Sequence, residues 1–377
     1  MNGKNVFYYI FSVVRVLLYP VALIYGAIVW LRNRLYDANI FSSIEFSVPV
    51  ITVGNLSTGG TGKTPHVEYL VRLLQYQYQV ATMSRGYKRH TQGFLLADAQ
   101  TNALRIGDEP MQYHLKFPEL VVSVAEERMI GIPALLQRRP DVDVIVLDDA
   151  YQHRSVQAGL TILITDYSRP FYKDHILPFG SLRESRSAYK RADIIVISKC
   201  PMDMTVAQAQ EIKKRAAPQA HQKVFFTGIH YAAPYDFITG EAVNLDNKHI
   251  VLVCGIARPE PLQAFLKKNA ADVHTLSYKD HHYFVSADLE EIKTTYDNWG
   301  FPDKIIVTTE KDAARLHLHF DKLKEWGITI AVLPIAVTVL FDKGEEFDTA
   351  VRAYVDKAVA ENNEMMFGSP IRPQELL

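Results

Sequence analysis

The residues most able to do chemistry form one glycine-rich stretch, Ser57-Thr58-Gly59-Gly60-Thr61-Gly62-Lys63-Thr64. In such a loop the glycines let consecutive backbone N–H groups point into one concavity that suits phosphate. Lys63 can reach the β- and γ-phosphates of a nucleotide, and the Thr64 hydroxyl can ligate Mg²⁺. The pattern predicts a P-loop that binds a nucleoside triphosphate, with Ser57 standing where the usual motif has glycine.

The segments on either side of this loop have the patterns that a P-loop requires. An apolar, β-branched run from Val48 to Val53 precedes it and predicts a buried strand. After the loop, apolar side chains recur at the spacing of one helix face, at Val67, Leu70 and Val71. Strand, glycine-rich turn and helix in this order disfavour the alternative of a chance glycine cluster.

Two adjacent carboxylates, Asp148 and Asp149, follow the apolar run from Val142 to Leu147. Because ligands bind at the carboxyl ends of parallel strands, this pair is expected beside the loop. There it can hold Mg²⁺ directly or through water. The sequence therefore predicts a metal site of Thr64, Asp148 and Asp149, with two solvated turn aspartates as the alternative.

Other side chains could serve phosphoryl transfer to an alcohol. Asp108, between Gly107 and Glu109-Pro110, could accept the hydroxyl proton or could simply cap a helix. His281 and His282 could carry a proton or tune a carboxylate, or could be a surface pair. Four arginines could bind phosphate, although each could equally be a solvated surface residue: Arg85, Arg154, Arg183 and Arg186.

Short buried strands alternate with helices along most of the chain, which predicts an α/β fold with a doubly wound, mainly parallel sheet. The pattern changes between residues 200 and 225. We therefore expect a P-loop NTPase core over 36–222, a smaller second α/β lobe over 223–345, and a C-terminal helix and tail over 346–377. The tail after residue 357 is expected to be poorly ordered.

The most apolar stretch runs from Phe7 to Leu31 and contains Arg15 and Pro20. It is long enough to span a bilayer, but a central arginine is costly there and an internal proline kinks a helix. We expect residues 1–35 to form an interfacial, membrane-associated helix, with a buried core helix and a true span as alternatives.

Composition narrows the class of protein further. The net charge of the 377 residues is −1, whereas a nucleic-acid-binding protein usually carries a strongly basic face. The two cysteines, Cys200 and Cys254, lie far apart and in no ligand spacing. This usage fits a reducing compartment, with no disulfide framework and no zinc site.

The loop signature from Gly54 to Pro65 resembles that of the tetraacyldisaccharide 4′-kinase family, the lipid A kinases of Gram-negative envelope synthesis. Ser57 is in pattern for this family, whereas Ala150 stands where a glycine is usual. The resemblance covers roughly residues 47–315. Its further motifs are, in chain order, Ser84-Arg85-Gly86-Tyr87, Gly107-Asp108-Glu109-Pro110, Asp148-Asp149-Ala150-Tyr151-Gln152-His153-Arg154, Leu177-Pro178-Phe179-Gly180-Ser181-Leu182-Arg183-Glu184, Gly255-Ile256-Ala257-Arg258-Pro259, Asp280-His281-His282 and Thr309-Glu310-Lys311-Asp312-Ala313.

This resemblance implies Mg²⁺-dependent transfer of the γ-phosphate of ATP to the 4′-hydroxyl of a tetraacyldisaccharide 1-phosphate, giving lipid IVA. It implies a P-loop core, a second lobe and a cleft between them, at the cytoplasmic face of the inner membrane. Asp108 and His281, from different lobes, would form an acid–histidine pair that acts with Lys63, and His282 would be the less favoured histidine. No nucleic acid and no obligate protein partner are implied. Substrate binding would fall to Asn55, Arg85, Arg183 and Glu184.

A membrane-associated P-loop switch ATPase or GTPase without a small-molecule acceptor is the alternative. Switch ATPases of this kind often carry a lysine where this chain has Thr58, which argues against that class. The segment Ser198-Lys199-Cys200-Pro201 matches only part of a guanine-reading Asn-Lys-x-Asp motif. A kinase is therefore the favoured interpretation.

Overall fold

A computed structural model of the protein describes residues 18–367, and strands and helices alternate along most of them. The strands are β1 (Val50–Gly54), β2 (Val80–Ser84), β3 (Leu95–Leu96), β4 (Val121–Val124), β5 (Val144–Asp148), β6 (Leu160–Asp166), β7 (Ile194–Ser198), β8 (Lys223–Tyr231), β9 (Tyr235–Asp236), β10 (His249–Cys254), β11 (Asp272–Ser277), β12 (Lys304–Thr309), β13 (Ile330–Leu333) and β14 (Ile335–Val339). The α-helices are α1 (Tyr19–Asp37), α2 (Lys63–Leu74), α3 (Ala103–Ile106), α4 (Asp108–Lys116), α5 (Arg128–Arg138), α6 (Val206–Ala216), α7 (Glu260–Asn269), α8 (Ser286–Asn298), α9 (Glu310–Leu316), α10 (Phe320–Glu325) and α11 (Gly344–Phe367).

The described chain divides into two compact units. Unit 1 comprises residues 18–84, 127–229 and 337–367, and unit 2 comprises residues 85–126 and 230–336. This division differs from the expected boundary after residue 222, because helix α4 packs against helix α9, far along the chain. The segment that carries Asp108 therefore belongs to unit 2, whereas the sequence had suggested the P-loop core.

Unit 1 is built on a mainly parallel sheet with the strand order β14-β8-β7-β6-β1-β5-β2. Strand β1 lies between β5 and β6 and is parallel to both. Its residues are buried, which explains why parallel strands of this kind read as continuous apolar runs. The expected α/β class with a mainly parallel sheet is confirmed, and the loop after β1 opens at the edge where its neighbours also end.

Unit 2 contains a second sheet with the order β11-β10-β12-β13-β9. Its strand pairs are parallel except for β9, which runs antiparallel to β13. Side chains of β10 alternate between two apolar clusters, with Ile250 and Leu252 in one and Val251 and Val253 in the other. Both faces of this sheet are therefore covered, which makes it a rigid support for the loops at its strand ends.

The C-terminal helix α11 continues to Phe367, so the expectation of poor order after residue 357 is wrong for residues 358–367. Phe347, Val351 and Val355 are buried along one face of this helix. Tyr354 adds a hydrogen bond with the backbone of Val50 at 3.1 Å. These contacts fix the helix to unit 1, and residues 368–377 lie outside the described part.

Helix α1 is the described part of the predicted N-terminal helix, and residues 7–17 of that prediction lie outside it. Pro20 occupies the first turn, where a missing N–H costs nothing, so it starts the helix instead of kinking it. Within residues 18–367, no helix combines the length and the hydropathy needed to cross a membrane. Tyr25 and Asn33 attach α1 to unit 1, through Arg183 O at 2.9 Å and the Glu184 carboxylate at 2.7 Å.

Candidate active site

The glycine-rich loop joins β1 to α2, and α2 begins at Lys63. Gly59 and Gly62 have φ angles of 103° and 91°, a left-handed conformation that residues with a Cβ rarely adopt. These two glycines are therefore required to turn the chain into the helix. The first N–H groups of an α-helix have no intrahelical acceptor, so this end of α2 favours a bound anion.

Side chains near the loop fix its shape from outside. Ser198 Oγ donates to Thr61 O at 2.5 Å, and Lys199 Nζ donates to Gly60 O. Asn55 Nδ2 donates to the Thr61 hydroxyl at 2.9 Å. The N–H and C=O groups of a trans peptide point in opposite directions. When these side chains bind the carbonyl groups, the N–H groups of the same peptides therefore face the other side of the loop. The loop is therefore preorganised as a phosphate cradle.

A buried histidine completes this support. His66 Nδ1 contacts Gly62 O at 2.7 Å, and its Nε2 contacts the Thr227 hydroxyl at 3.0 Å. Burial lowers the pKa of His66 to about 4, and the bond to Gly62 O opposes that shift. The ring is therefore neutral at pH 7, with its proton on Nδ1 because a carbonyl oxygen can only accept.

Strand β5 delivers the acidic pair to the same sheet edge. Asp148 is its last residue, and Asp149 follows with a left-handed φ of 50°. Asp149 lies 3.5 Å from Lys63 Nζ and accepts hydrogen bonds from Arg183 at 3.0 and 3.2 Å. Burial alone would raise the pKa of Asp149, but the charges of Lys63 and Arg183 outweigh it and lower that pKa. The carboxylate is therefore ionised.

Asp148 is buried at the end of β5. Its Oδ2 lies 3.4 Å from Ser84 Oγ, and its backbone oxygen accepts a hydrogen bond from Arg128 Nη2 at 3.2 Å. Oxygen donors are what Mg²⁺ prefers, and magnesium needs only one or two carboxylates besides water and phosphate oxygens. In residues 18–367, no group of three or more histidine, cysteine, aspartate or glutamate side chains is placed to hold a metal ion. The candidate groups at this edge, one hydroxyl and two carboxylates, are oxygen donors, which fit Mg²⁺ better than zinc.

The four residues assigned to substrate by resemblance have different surroundings. Arg85 is exposed at the start of unit 2. Arg183 binds Asp149, as described above. Asn55 is buried against the loop, and Glu184 is buried in an ion pair with Arg191 at 2.9 Å. Asn55 and Glu184 thus contact protein groups, which makes them supports of the site in this conformation.

The other two candidate arginines have structural partners. Arg154 donates to Asn33 O at 2.8 Å and to Asp37 at 2.7 Å, which ties helix α1 to unit 1. Arg186 Nε donates to Asp174 O at 2.6 Å. Neither is engaged with the glycine-rich loop.

Unit 2 carries the second set of candidate side chains. Asp108 is the first residue of α4 and follows Gly107. His281 Nδ1 lies 2.7 Å from Asp108 Oδ2, although the two residues are 173 positions apart. Arg315 Nε donates to the same oxygen at 2.9 Å. The structure therefore brings Asp108 and His281 together inside unit 2, rather than from two lobes as the sequence had suggested.

The two oxygens of Asp108 have different surroundings. Oδ2 accepts from His281 and Arg315, whereas Oδ1 is buried and has no hydrogen-bond partner among residues 18–367. Burial alone would raise the pKa of Asp108, but the hydrogen bond from His281 and the charge of Arg315 outweigh it and lower that pKa. An ionised carboxylate with one oxygen available is what accepting a hydroxyl proton requires.

The two adjacent histidines have different partners. His281 has a left-handed φ of 61°, and the ring of Tyr87 lies edge-on to it at 5.5 Å. His282 turns instead to Asp288 Oδ2 at 2.8 Å and stacks on Tyr278. Asp288 also accepts from the backbone N–H of Val285, at the start of α8. His282 therefore stabilises a helix start, which leaves His281 as the member that contacts Asp108.

Sequence reasoning missed three groups that the structure joins to these sites. His66 could not be distinguished from any other histidine on a helix face. Ser198 and Lys199 carried a signal, because their segment resembles a base-reading motif, but nothing indicated contact with the glycine-rich loop. Arg315 follows the motif ending at Ala313 by two positions, and only the fold shows that it meets Asp108.

A P-loop on a mainly parallel sheet, with two adjacent aspartates at the next strand end, defines an α/β P-loop enzyme that binds a nucleoside triphosphate. The model of one protein family, described as LpxK: Tetraacyldisaccharide-1-P 4′-kinase, matches residues 14–356. The chain therefore belongs to the tetraacyldisaccharide-1-P 4′-kinase family, as the sequence motifs had suggested.

Individual relatives agree with this assignment. The chain is 43% identical over 351 residues to the tetraacyldisaccharide 4′-kinase of Bacteroides thetaiotaomicron, covering 90% of this chain and 92% of the relative. It is 41% identical over 348 residues to that of Flavobacterium johnsoniae, covering 91% and 98%. The crystal structure of LpxK from Aquifex aeolicus in complex with ATP matches with a TM-score of 0.71 and 26% identity, covering 91% of this chain and 99% of that one.

Proposed function

We propose that this protein transfers the γ-phosphate of ATP to the 4′-hydroxyl of a tetraacyldisaccharide 1-phosphate, forming lipid IVA in lipid A biosynthesis. Membership of the kinase family supports the activity. The observation that carries the chemistry is the contact of 2.7 Å between Asp108 Oδ2 and His281 Nδ1. The other oxygen of this carboxylate, Oδ1, has no hydrogen-bond partner among the described residues. A switch ATPase activates water and has no need of a dedicated base for a lipid hydroxyl.

Nucleotide binding falls to residues 57–64. Their N–H groups and the start of α2 bind the phosphates, and Lys63 stabilises the negative charge that the γ-phosphate carries during transfer. The relative solved in complex with ATP supports ATP as the donor. Binding of the nucleotide also requires Lys63 to exchange its contact with Asp149 for phosphate oxygens.

Magnesium fits the acidic edge of unit 1. We propose that Thr64, Asp148 and Asp149 hold it, directly or through water. Bound Mg²⁺ would neutralise part of the charge on the ATP phosphates. Arg183 keeps Asp149 ionised before any metal binds, because its guanidinium donates two hydrogen bonds to that carboxylate.

Proton removal falls to Asp108. Its Oδ1 accepts the proton of the attacking hydroxyl, while Oδ2 stays in contact with His281 and Arg315. His281 orients the carboxylate and can share the proton that it receives. Among the remaining candidates, the cations Arg85 and Arg183 suit the anionic 1-phosphate lipid. Asn55 and Glu184 support this binding through the loop and through Arg191.

A membrane-surface location suits a lipid acceptor, and α1 supports it. Its large apolar side chains are exposed on the side opposite the attachment to unit 1, with Ile24 and Ile28 each 63% exposed. Arg34 lies in its last turn, where it can meet lipid phosphates. We propose that α1 lies in the cytoplasmic face of the inner membrane, as in a peripheral or monotopic protein.

The direct test incubates the purified full chain with labelled ATP, Mg²⁺ and a tetraacyldisaccharide 1-phosphate in detergent. We expect a labelled bisphosphorylated lipid, with the label at the 4′ position. The matched control is the same lipid with its 4′-hydroxyl blocked, which should stay unlabelled. Hydrolysis of ATP without a labelled lipid would favour the switch ATPase instead.

A further inference from the structure

Helix α9 contacts α4 through two cations that lie one turn apart, the buried Arg315 and the partly buried Lys311. Arg315 Nε donates to Asp108 at 2.9 Å, and Lys311 Nζ lies 2.6 Å from Glu109. The two acidic residues are neighbours at the start of α4, where the helix dipole also favours negative charge. Because both ion pairs join the same two helices, the Lys311–Glu109 pair can serve as a control for the Arg315–Asp108 pair.

Arg315 is itself held in place on its other side. Its Nη1 donates to Asp312 Oδ1 at 2.7 Å and to Gly255 O at 3.1 Å. Asp312 is fixed in turn, since its Oδ2 accepts from Gly255 N at 3.1 Å and from the Thr309 hydroxyl at 2.7 Å. The side chain of Arg315 is 0% exposed. A planar guanidinium bonded at both ends has one orientation, so its Nε can approach Asp108 in only one way.

The contact with Asp108 uses one oxygen where two are possible. Arginine commonly binds a carboxylate through two parallel N–H···O bonds. Here Nε binds Oδ2, whereas neither Arg315 Nη2 nor Asp108 Oδ1 has a partner among the described residues. The arrangement therefore stabilises the charge of Asp108 and leaves its second oxygen available.

We propose that Arg315 is a positioning residue for the phosphoryl transfer, which fixes the rotamer and the charge of Asp108 so that Oδ1 faces the acceptor hydroxyl. The inference rests on the proposed function, and its charge component can be measured without any turnover. Arg315 does not touch substrate. It acts through Asp108, from a helix whose own register is fixed by Asp312.

Several charged or titratable groups surround Asp108, and their contributions have to be separated. They are His281 and Arg315 in contact with it, and Glu109, Lys311, Asp312 and Tyr283 around it. Burial, and then the charge of Asp108, raise the pKa of Tyr283 to about 12, so this phenol stays protonated in the working range. Both Arg315 and His281 lower the pKa of Asp108 through a hydrogen bond and through their charge, and loss of Arg315 removes its share of each. That pKa should therefore rise.

The decisive variant is the double substitution Arg315→Met with Asp312→Asn. It removes the cation together with its second carboxylate, so the net charge of the cluster is unchanged and no buried aspartate other than Asp108 remains beside the site. The matched control is Glu109→Gln with Lys311→Met, which removes the neighbouring ion pair between the same helices. Arg315→Lys keeps the charge but lacks the planar fork.

Two readouts are compared across these variants. The first is the carboxyl ¹³C titration of Asp108 by NMR, assigned by its loss in Asp108→Asn. The second is the pH dependence of kcat, with KM for ATP as the reference. In the double variant the titration should move up by about 1 unit or more, since a nearby opposite charge lowers an aspartate pKa by about 1–3 units. At pH 7, kcat should fall by about 10²-fold with KM for ATP unchanged.

The outcomes separate this inference from the proposed function. An unchanged Asp108 titration in the folded double variant, or an equal shift in the control, would overturn the role of Arg315. If the double variant does not fold, Arg315→Lys decides: the proposal requires a wild-type Asp108 titration with a lower kcat, and a wild-type kcat would overturn it. A wild-type protein that labels no lipid contradicts the proposed function, while the titration still decides whether Arg315 sets the charge of Asp108.

Discussion

The glycine-rich loop of unit 1 and the Asp108 cluster of unit 2 are assembled in opposite ways. The loop takes its phosphate-binding groups from eight consecutive residues, 57–64, between one strand and one helix. The cluster takes Asp108, His281 and Arg315 from segments that are 173 and 207 positions away from Asp108. A backbone cradle can be encoded locally, because its ligands are peptide N–H groups. A tuned carboxylate needs partners of specific charge, which only the fold can supply.

The supports of the two regions also differ. The loop is held by hydrogen bonds to its carbonyls, from the neutral Ser198 hydroxyl to Thr61 O and from the partly exposed Lys199 ammonium to Gly60 O. The cluster is held by fully buried ions, Arg315 with Asp108 and Asp312. Breaking a buried ion pair leaves an uncompensated charge and costs about 3–5 kcal/mol. The cluster should therefore tolerate substitution less well than the loop does.

The largest effect is expected for Asp108→Asn and His281→Ala, which test whether the cluster acts as one unit. Each should lower kcat by about 10²–10⁴-fold with little change in ATP binding, because general-base assistance is lost. Steady-state kinetics of the two single variants and the double variant measure this. The loss of kcat in the double variant should be much smaller than the product of the two single losses, since the effects of residues that act together are non-additive.

His282→Ala is the matched control for that experiment. It should lower stability by about 0.5–2 kcal/mol through the weakened start of α8, with kcat near the wild-type value. A loss of kcat in His282→Ala as large as that in His281→Ala would contradict the different roles assigned to the two histidines. Fully multiplicative losses in Asp108 and His281 variants would show that those residues work separately.

Lys63→Ala tests the glycine-rich loop, the region of the comparison whose groups are close together in the sequence. Turnover should fall by about 10²–10³-fold, because a cation that stabilises the transferring phosphoryl group is lost. The fold should be intact, since Lys63 lies at a loop end and contributes nothing to the apolar core. Activity and thermal unfolding are measured together, with Lys343→Ala, which removes an exposed cation of the same unit, as the control. Near-normal turnover in the folded Lys63→Ala variant would contradict the assignment of residues 57–64 as a P-loop.

The buried, neutral His66, which supports the glycine-rich loop, should make the free energy of unfolding depend on pH. Its pKa is lowered to about 4 in the folded protein, from the ordinary histidine value of about 6.5 that applies in the unfolded chain. Between these values the unfolded chain binds more protons, so the free energy of unfolding should fall as pH decreases from 6.5 towards 4. The shift corresponds to about 3 kcal/mol from this residue. Chemical unfolding at pH 7 and pH 5 measures the slope.

His66→Gln should flatten that slope, whereas His221→Gln, at an exposed histidine of the same unit, should leave it unchanged. An equal slope in the wild type and in His66→Gln would show that the acid sensitivity arises elsewhere.

The smallest effect is expected on membrane binding. Ile24→Glu combined with Ile28→Glu should weaken binding to anionic vesicles by about tenfold or more, because two apolar side chains no longer enter the interface. Binding of ATP should be unaffected. Tyr76→Glu, at an aromatic residue that is 87% exposed outside α1, is the matched control in vesicle sedimentation. Unchanged sedimentation of the double variant would mean that α1 does not anchor the protein.

The sequence by itself determined the elements with strong local signals. The apolar run before the loop predicted β1, and the periodic run after it predicted α2. Both signals are local, because the burial of a strand and the periodicity of a helix are visible in neighbouring residues. It also determined the kinase family, through motifs that the family model confirms. At the C-terminus the expected helix is present and is held by Phe347, Val351 and Val355, but the polar composition after residue 357 concealed its extension to Phe367.

Only the tertiary structure decided where the Asp108 cluster is assembled. It assigned Asp108 to unit 2 because α4 packs on α9, and it placed His281, the histidine that the family resemblance favoured, against Asp108 while His282 contacts Asp288. It also joined Arg315 to Asp108. None of these pairings has a local sequence signal, because the energy of a buried ion pair depends on a partner's position in space and not on its distance along the chain.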